Sequence, residues 1–134
     1  MLKRLVLLII MTFSVQLAWA EGEEEKTVED YVNYIELKPF VTNFGGVGKT
    51  RFLKCEVTIQ VASESAHHAV NFHMAHIRND MVFLLSAQTD ETVATVAAQQ
   101  ELAKKALKKV QDILVEEEGE GFVSDLFFTS FVVQ

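Results

Sequence analysis

All four histidines of this 134-residue chain fall within ten positions, His67-His68-Ala69-Val70-Asn71-Phe72-His73-Met74-Ala75-His76. Imidazoles ligate transition metals and change charge between about pH 5 and 8. On a helix, His73, His76 and Asp80 share a face at i, i+3 and i+7. Two imidazoles with a carboxylate suit zinc or copper. A closed structural zinc site uses four protein ligands, however, and this face offers three. The same residues also fit a half-solvated flank beside an apolar stripe of Val70, Met74, Ile77, Met81, Leu84 and Leu85, spaced by three and four. His73, His76 and Asp80 are therefore weighed as candidate ligands, and the reading adopted assigns no metal and no cofactor.

Three other features invite a chemical reading. Gly45-Gly46-Val47-Gly48-Lys49-Thr50 is similar to the end of a phosphate-binding loop. That motif wants glycine five positions before Gly48, where the chain has Asn43. It must also lead into a helix N-terminus, whereas the residues after Thr50 read as a strand. A hairpin turn using positive-φ glycines is expected instead. The single cysteine, Cys55, has no partner for an internal disulfide and lies on the apolar side of that strand, so a small buried side chain is expected. Lys104, Lys105, Lys108 and Lys109 could dock a partner, although such a face ordinarily serves solubility. No nucleophile is paired with a base, so no catalytic residue is assigned and a non-enzyme is expected.

The elements that position these groups follow in order. Lys3 and Arg4, the apolar run from Leu5 and the Ala18-Trp19-Ala20 ending read as a signal peptide over residues 1–20. A short membrane anchor is the rival reading, although the run is interrupted by Thr12, Ser14 and Gln16 and is short against the roughly 20 residues of a span. Either way the remainder is exported, since the positive flank stays inside. Residues 21–30, rich in glutamate, form an acidic linker expected to be solvated. The formal net charge of −7 at pH 7 argues against nucleic-acid binding, which wants a basic patch.

Residues 31–134 then form one domain. Tyr31 to Leu37 and Phe40 to Phe44 are extended, with Pro39 ending the first or marking an edge. From Arg51 to Val61, Leu53, Cys55, Val57, Ile59 and Val61 alternate with polar residues, giving a half-buried strand and an N-terminal β-hairpin. One helix is expected from Ser65 to Leu85, then a short turn capped by Thr89 or Asp90. A long amphipathic helix follows over Ala97–Val115, with Glu101, Lys104, Lys105, Lys108, Gln111 and Asp112 outward and Glu101–Lys105 and Lys108–Asp112 as pairs. An acidic hinge, Glu116 to Gly121, precedes the terminal segment Phe122–Gln134. Under strict alternation Val123, Phe127, Phe131 and Val133 form one row and Leu126, Phe128 and Val132 the other, so a core strand covered on both faces is expected. The fold class is α+β: a small mixed sheet with the hairpin, two amphipathic helices packed on it and this C-terminal core strand.

The order of motifs resembles the FliL family of flagellar basal-body proteins. Tyr34-Ile35-Glu36-Leu37-Lys38-Pro39-Phe40-Val41-Thr42-Asn43 matches its opening pattern, and Arg51-Phe52-Leu53-Lys54 its next strand. Ile77-Arg78-Asn79-Asp80 and Leu84-Leu85-Ser86 match its helix. Val123-Ser124-Asp125-Leu126-Phe127-Phe128-Thr129-Ser130-Phe131-Val132-Val133-Gln134 matches its closing strand. The resemblance implies a stomatin-like domain on the periplasmic side of the inner membrane at the basal body. It implies a non-enzymatic, membrane-proximal accessory that associates with the flagellar stator units, forms a homo-oligomeric ring and supports rotation, swimming or swarming. Two alternatives remain at this stage. One is a periplasmic metal-binding or chaperoning protein using the His67–Asp80 helix. The other is a stomatin-like scaffold unconnected with motility.

Overall fold

The computed structural model describes residues 31–45, 48 and 50–134. The leader and acidic linker expected over residues 1–30 lie outside them, as do Gly46, Val47 and Lys49. The described chain runs β1 (Asn33–Glu36), β2 (Phe40–Phe44), β3 (Arg51–Val61), α1 (Glu64–Phe72), α2 (Met74–Ser86), α3 (Asp90–Val93), α4 (Val96–Glu118) and β4 (Val123–Val133). It is an α+β fold, one open four-stranded sheet with helices packed on it.

The alternating strand β3 is the centre of that sheet. Leu53, Cys55, Ile59 and Val61 are fully buried beneath the helices, as a half-buried strand requires. β2 and β1 lie end to end along one side of β3 and β4 lies along the other. All pairings are antiparallel, so the sheet is not mixed. Pro39 sits in the gap between β1 and β2, where no ladder donor is needed. The Leu37 N–H still donates to the Val57 carbonyl at 2.9 Å, which keeps the two short strands in line.

The terminal segment corrects the sequence reading most. β4 pairs with β3 alone and is an edge, not a strand covered on both sides. Its pairing slips twice, opposite Glu56/Val57 and opposite Gln60/Val61. Each slip is a β-bulge, which inserts a residue and reverses the facing of everything beyond it. Thr129 and Ser124 are the extra residues, and their hydroxyls donate to the Glu56 and Gln60 carbonyls at 3.5 and 3.1 Å. The row facing the helices is therefore Val123, Leu126, Phe128, Phe131 and Val133, drawn from both of the expected alternate sets. Phe127 and Val132 face outward, 41% and 42% exposed.

The helices form the second layer. Ser63 and Thr95 accept from the Ala66 and Ala98 N–H groups at 3.0 Å each, capping α1 and α4. At the start of α3 the Thr92 hydroxyl accepts from the Thr89 N–H at 2.9 Å and donates to the Thr89 carbonyl at 3.0 Å. α4 lays Leu102, Ala106, Val110, Ile113 and Leu114 into the core. It continues through Glu116–Glu118 before ending at Gly119 with φ +83°, a left-handed cap that suits glycine. The expected acidic hinge is thus mostly a last helical turn. The single helix expected over Ser65–Leu85 is two, broken at His73.

Candidate functional site

The break at His73 is where the histidine cluster acquires its geometry. His73 has φ −95° and ψ 16°, outside helical values. Its N–H and C=O nevertheless bond to Ala69 and Ile77 at 3.1 Å or less. The chain bends there without losing its ladder. The bend turns the His73 ring toward the end of α4, where Nε2 meets Glu118 Oε1 at 2.8 Å. Phe72 packs edge-on against the ring, centroids 4.9 Å apart.

His76 is placed between two acids. Its Nδ1 is 3.6 Å from Glu117 Oε1 and its Nε2 3.7 Å from Asp80 Oδ2. The carboxylates approach opposite sides of the ring, so His76 bridges them and does not share one ion with them. The structure brings His76 and Asp80 together and sends His73 to a different partner. Among the described residues no group of three or more histidine, cysteine or acidic side chains is arranged to hold a metal. The candidate set of His73, His76 and Asp80 weighed from the sequence is not brought onto one point.

What the cluster does instead is electrostatic. The last turn of α4 carries Glu116, Glu117 and Glu118 and no basic residue, although a helix C-terminus is already the negative end of its dipole. His73 and His76 face that end from the α1–α2 break. They supply the donors and, when protonated, the cations that the turn lacks. The cluster therefore ties two helices together across the layer. Sequence spacing could not show Glu117 and Glu118 as partners, because they lie more than forty positions away.

The other flagged residues resolve simply. The glycine-rich segment joins β2 to β3, strand to strand, with Gly45 and Gly48 at φ +95° and +108°, and so lacks the helix N-terminus a phosphate loop uses. Lys108 pairs with Asp112 at 2.8 Å, but Glu101 pairs with Lys104, not Lys105. The Lys104 hydrogen bond and charge hold the Glu101 carboxyl below its usual value, with Lys105 adding to the effect. Gln111 was placed outward by periodicity. It instead turns toward β4 and donates to the Val123 carbonyl at 2.8 Å. Arg78 is a residue whose work the sequence did not reveal. Its guanidinium donates to the Lys38 and Pro39 carbonyls at 2.6 and 3.3 Å and lies 4.2 Å above the Phe40 ring. It thereby pins α2 to the gap between β1 and β2.

Cys55 is fully buried, and burial pushes its thiol up to about 12, because a thiolate there would be desolvated. The native chain should resist alkylation at pH 8, while the unfolded chain reacts fully; native labelling at the unfolded rate would contradict the burial. The raised native value means the unfolded state releases its proton first as pH rises. The Cys55 contribution to stability is therefore present below about pH 8.5, the ordinary thiol value, and is lost progressively above it.

A groove of about 450 Å³ lies between α4 and β4, lined by Val96, Gln99, Ala103, Leu107, Leu126 and Phe128 among others. A second hollow, against Phe131 and Val133 farther along β4, shares Gln99 with it. Together they follow the open edge of the sheet. On the sheet's outer face Tyr34, Val41 and Phe52 join Phe127 and Val132 as exposed apolar side chains.

Among the described residues no helix is long and apolar enough to cross a membrane. The sequence matches the family described as flagellar basal body-associated protein FliL over residues 34–134. It is also 27% identical over 96 residues to a flagellar protein FliL from Aquifex aeolicus strain VF5, an alignment covering 72% of this chain. The chain spans 57% of the length of that relative.

Proposed function

The chain belongs to the FliL family of flagellar basal body-associated proteins, and from that premise we propose that it serves the motor as a non-enzymatic accessory of the stator units. It sits on the periplasmic side of the inner membrane, held there by residues 1–20 or released by their cleavage, and supports rotation under load. Copies assemble into a ring around the stator. The observation that carries this reading is the extent of the family match, which runs from Tyr34 in β1 through β4 and takes in every described helix between them.

The structural features are consistent with a docking role. His73 and His76 are spent on α4, the one cysteine is sealed in the core, and the described surface offers an open sheet edge with exposed apolar side chains. Those are the makings of an interaction domain. Deleting the gene should reduce swarming and swimming through viscous medium while growth in liquid stays normal, and a plasmid copy should restore both. Unchanged swimming and swarming, also in a strain lacking any second family member, would sink the reading.

A further inference from the structure

We infer that the free edge of β4, with the groove beneath α4, is a strand-addition site. It takes one extended peptide segment of another protein, uncharged overall and with apolar side chains at alternate positions. The inference stands on the geometry of this edge and does not depend on the stator reading.

The backbone is the first observation. The Leu37 N–H donates to the Val57 carbonyl at 2.9 Å, so the peptide groups of Val57 point to the β1 side of β3 and away from β4. Val57 pairs with Phe128, Cys55 with Phe131 and Leu53 with Val133. By antiparallel alternation these are the pairs that exchange no bonds. The N–H and C=O groups of Phe128, Phe131 and Val133 therefore point out of the open edge. Phe52 and Gln134 exchange both bonds at 2.9 Å, which fixes the same phase at the end of the strand. Among the described residues no strand takes up these groups. The Leu126 N–H on the same side is held at 2.8 Å by Asp125 Oδ1, so the free ladder starts at the Leu126 carbonyl and runs to Val133.

The opposite edge of the sheet is closed to such pairing. β1 and β2 are four and five residues long, Pro39 lies between them, and Arg78 takes the Lys38 and Pro39 carbonyls. Short strands and proline are among the means by which edges are kept from pairing. β4 has eleven residues, no proline and one charged side chain, Asp125. Its bulge at Thr129 leaves Leu126, Phe128, Phe131 and Val133 facing the helices on both sides of the irregularity.

The second observation is what stands over that edge. Beside its buried stripe α4 carries another, Val96, Ala103 and Leu107, which lines the groove together with Leu126 and Phe128. Val96 is 71% exposed. The helical layer thus reaches past the last described strand, and the groove occupies the place of the next one. Gln99 separates it from the second hollow, against Phe131 and Val133. One hollow therefore lies on each side of Thr129. In strand addition the backbone bonds supply affinity and hollows of this kind receive alternate side chains. The groove's rim holds one charge of each sign, Lys104 and Asp125, which suits a segment without net charge. The overhanging helix also selects the occupant. A second copy joined through this edge would bring its own α4 into the same space, whereas a lone segment needs room for one strand. A helical partner would cover the edge and leave its N–H and C=O groups unsatisfied, at a cost for each.

The test is titration of the full chain into a fluorescent, acetylated peptide about nine residues long, an ordinary strand length, with leucine at even positions and threonine at odd ones. Its anisotropy should rise to saturation with a Kd below about 0.1 mM. A peptide of the same composition with its leucines grouped together should bind about tenfold more weakly or worse, because its apolar side chains no longer alternate. N-methylation of the even or of the odd residues blocks opposite edges of the peptide. One set should weaken binding about tenfold or more, and the other should leave it unchanged. Val96→Glu sets a carboxylate in the groove at an exposed position and should weaken binding with an unchanged melting temperature. Val41→Glu, 65% exposed on the far face of the sheet, should bind as the wild type does. No saturable binding, equal binding of the grouped peptide, equal effects of the two methylated sets, or wild-type binding by Val96→Glu would each overturn the proposal. So would binding that weakens as the chain concentration rises, the mark of a second copy seated on the same edge.

Discussion

A chain ending before Val123 should show no cooperative unfolding transition. Five side chains of β4, Val123, Leu126, Phe128, Phe131 and Val133, face the helices and belong to or pack against the core. At about 1.5–3 kcal/mol for each large apolar side chain, their burial is worth on the order of 10 kcal/mol, an upper estimate because three of them are partly exposed. Whole-domain stability is about 5–15 kcal/mol. Removal also takes away the pairing along the entire length of β3, leaving the central strand with only the short β1 and β2. The expected result is a gradual, featureless thermal scan by far-ultraviolet circular dichroism and collapsed amide dispersion by NMR. A truncated chain that still melts sharply near the wild-type temperature would show β4 to be an accessory to the core and not part of it.

The sequence made β4 conspicuous but misdescribed it, and the reason is instructive. Its apolar residues occupy both alternate sets because two bulges move the inward row from one set to the other. Alternation assumes one residue per step, and nothing in the letters Thr129 and Ser124 announces an extra one. β3, with no insertion of its own, was readable to within a residue. The helices divide the same way. α4 was legible from its stripe of Leu102, Ala106, Val110, Ile113 and Leu114. The break at His73 was not, since Met74, Ile77 and Met81 continue the apolar spacing of Val70 across it.

Long-range partners set the limit for the candidate site. His73 and His76 were visible as a cluster, and Asp80 was the nearest acid at helical spacing. Their stronger acidic contacts come from the last turn of α4, which folding brings alongside and periodicity cannot. Gln111 illustrates the point in reverse. Its outward position on the helical wheel is right for an isolated helix, but the strand after Gly121 returns beneath it and supplies the Val123 carbonyl. A helical wheel reports one helix, whereas the partners depend on what the chain packs there afterward.

Leu114→Ala should cost about 2–5 kcal/mol of stability, the range for removing a buried leucine side chain. Leu114 is fully buried and among the largest such residues in the domain, near the end of α4. Alanine is the best helix former, so the helix itself loses nothing and the deficit reports the cavity left in the core. Lys109→Ala, on the exposed side of α4, should stay within about 0.5 kcal/mol. Urea unfolding measures both, and the midpoint should fall for Leu114→Ala with little change of slope, because the surface exposed on unfolding is nearly the same. A loss below about 1 kcal/mol, less than the removed methylenes alone are worth, would mean that α4 is not locked onto the sheet as described.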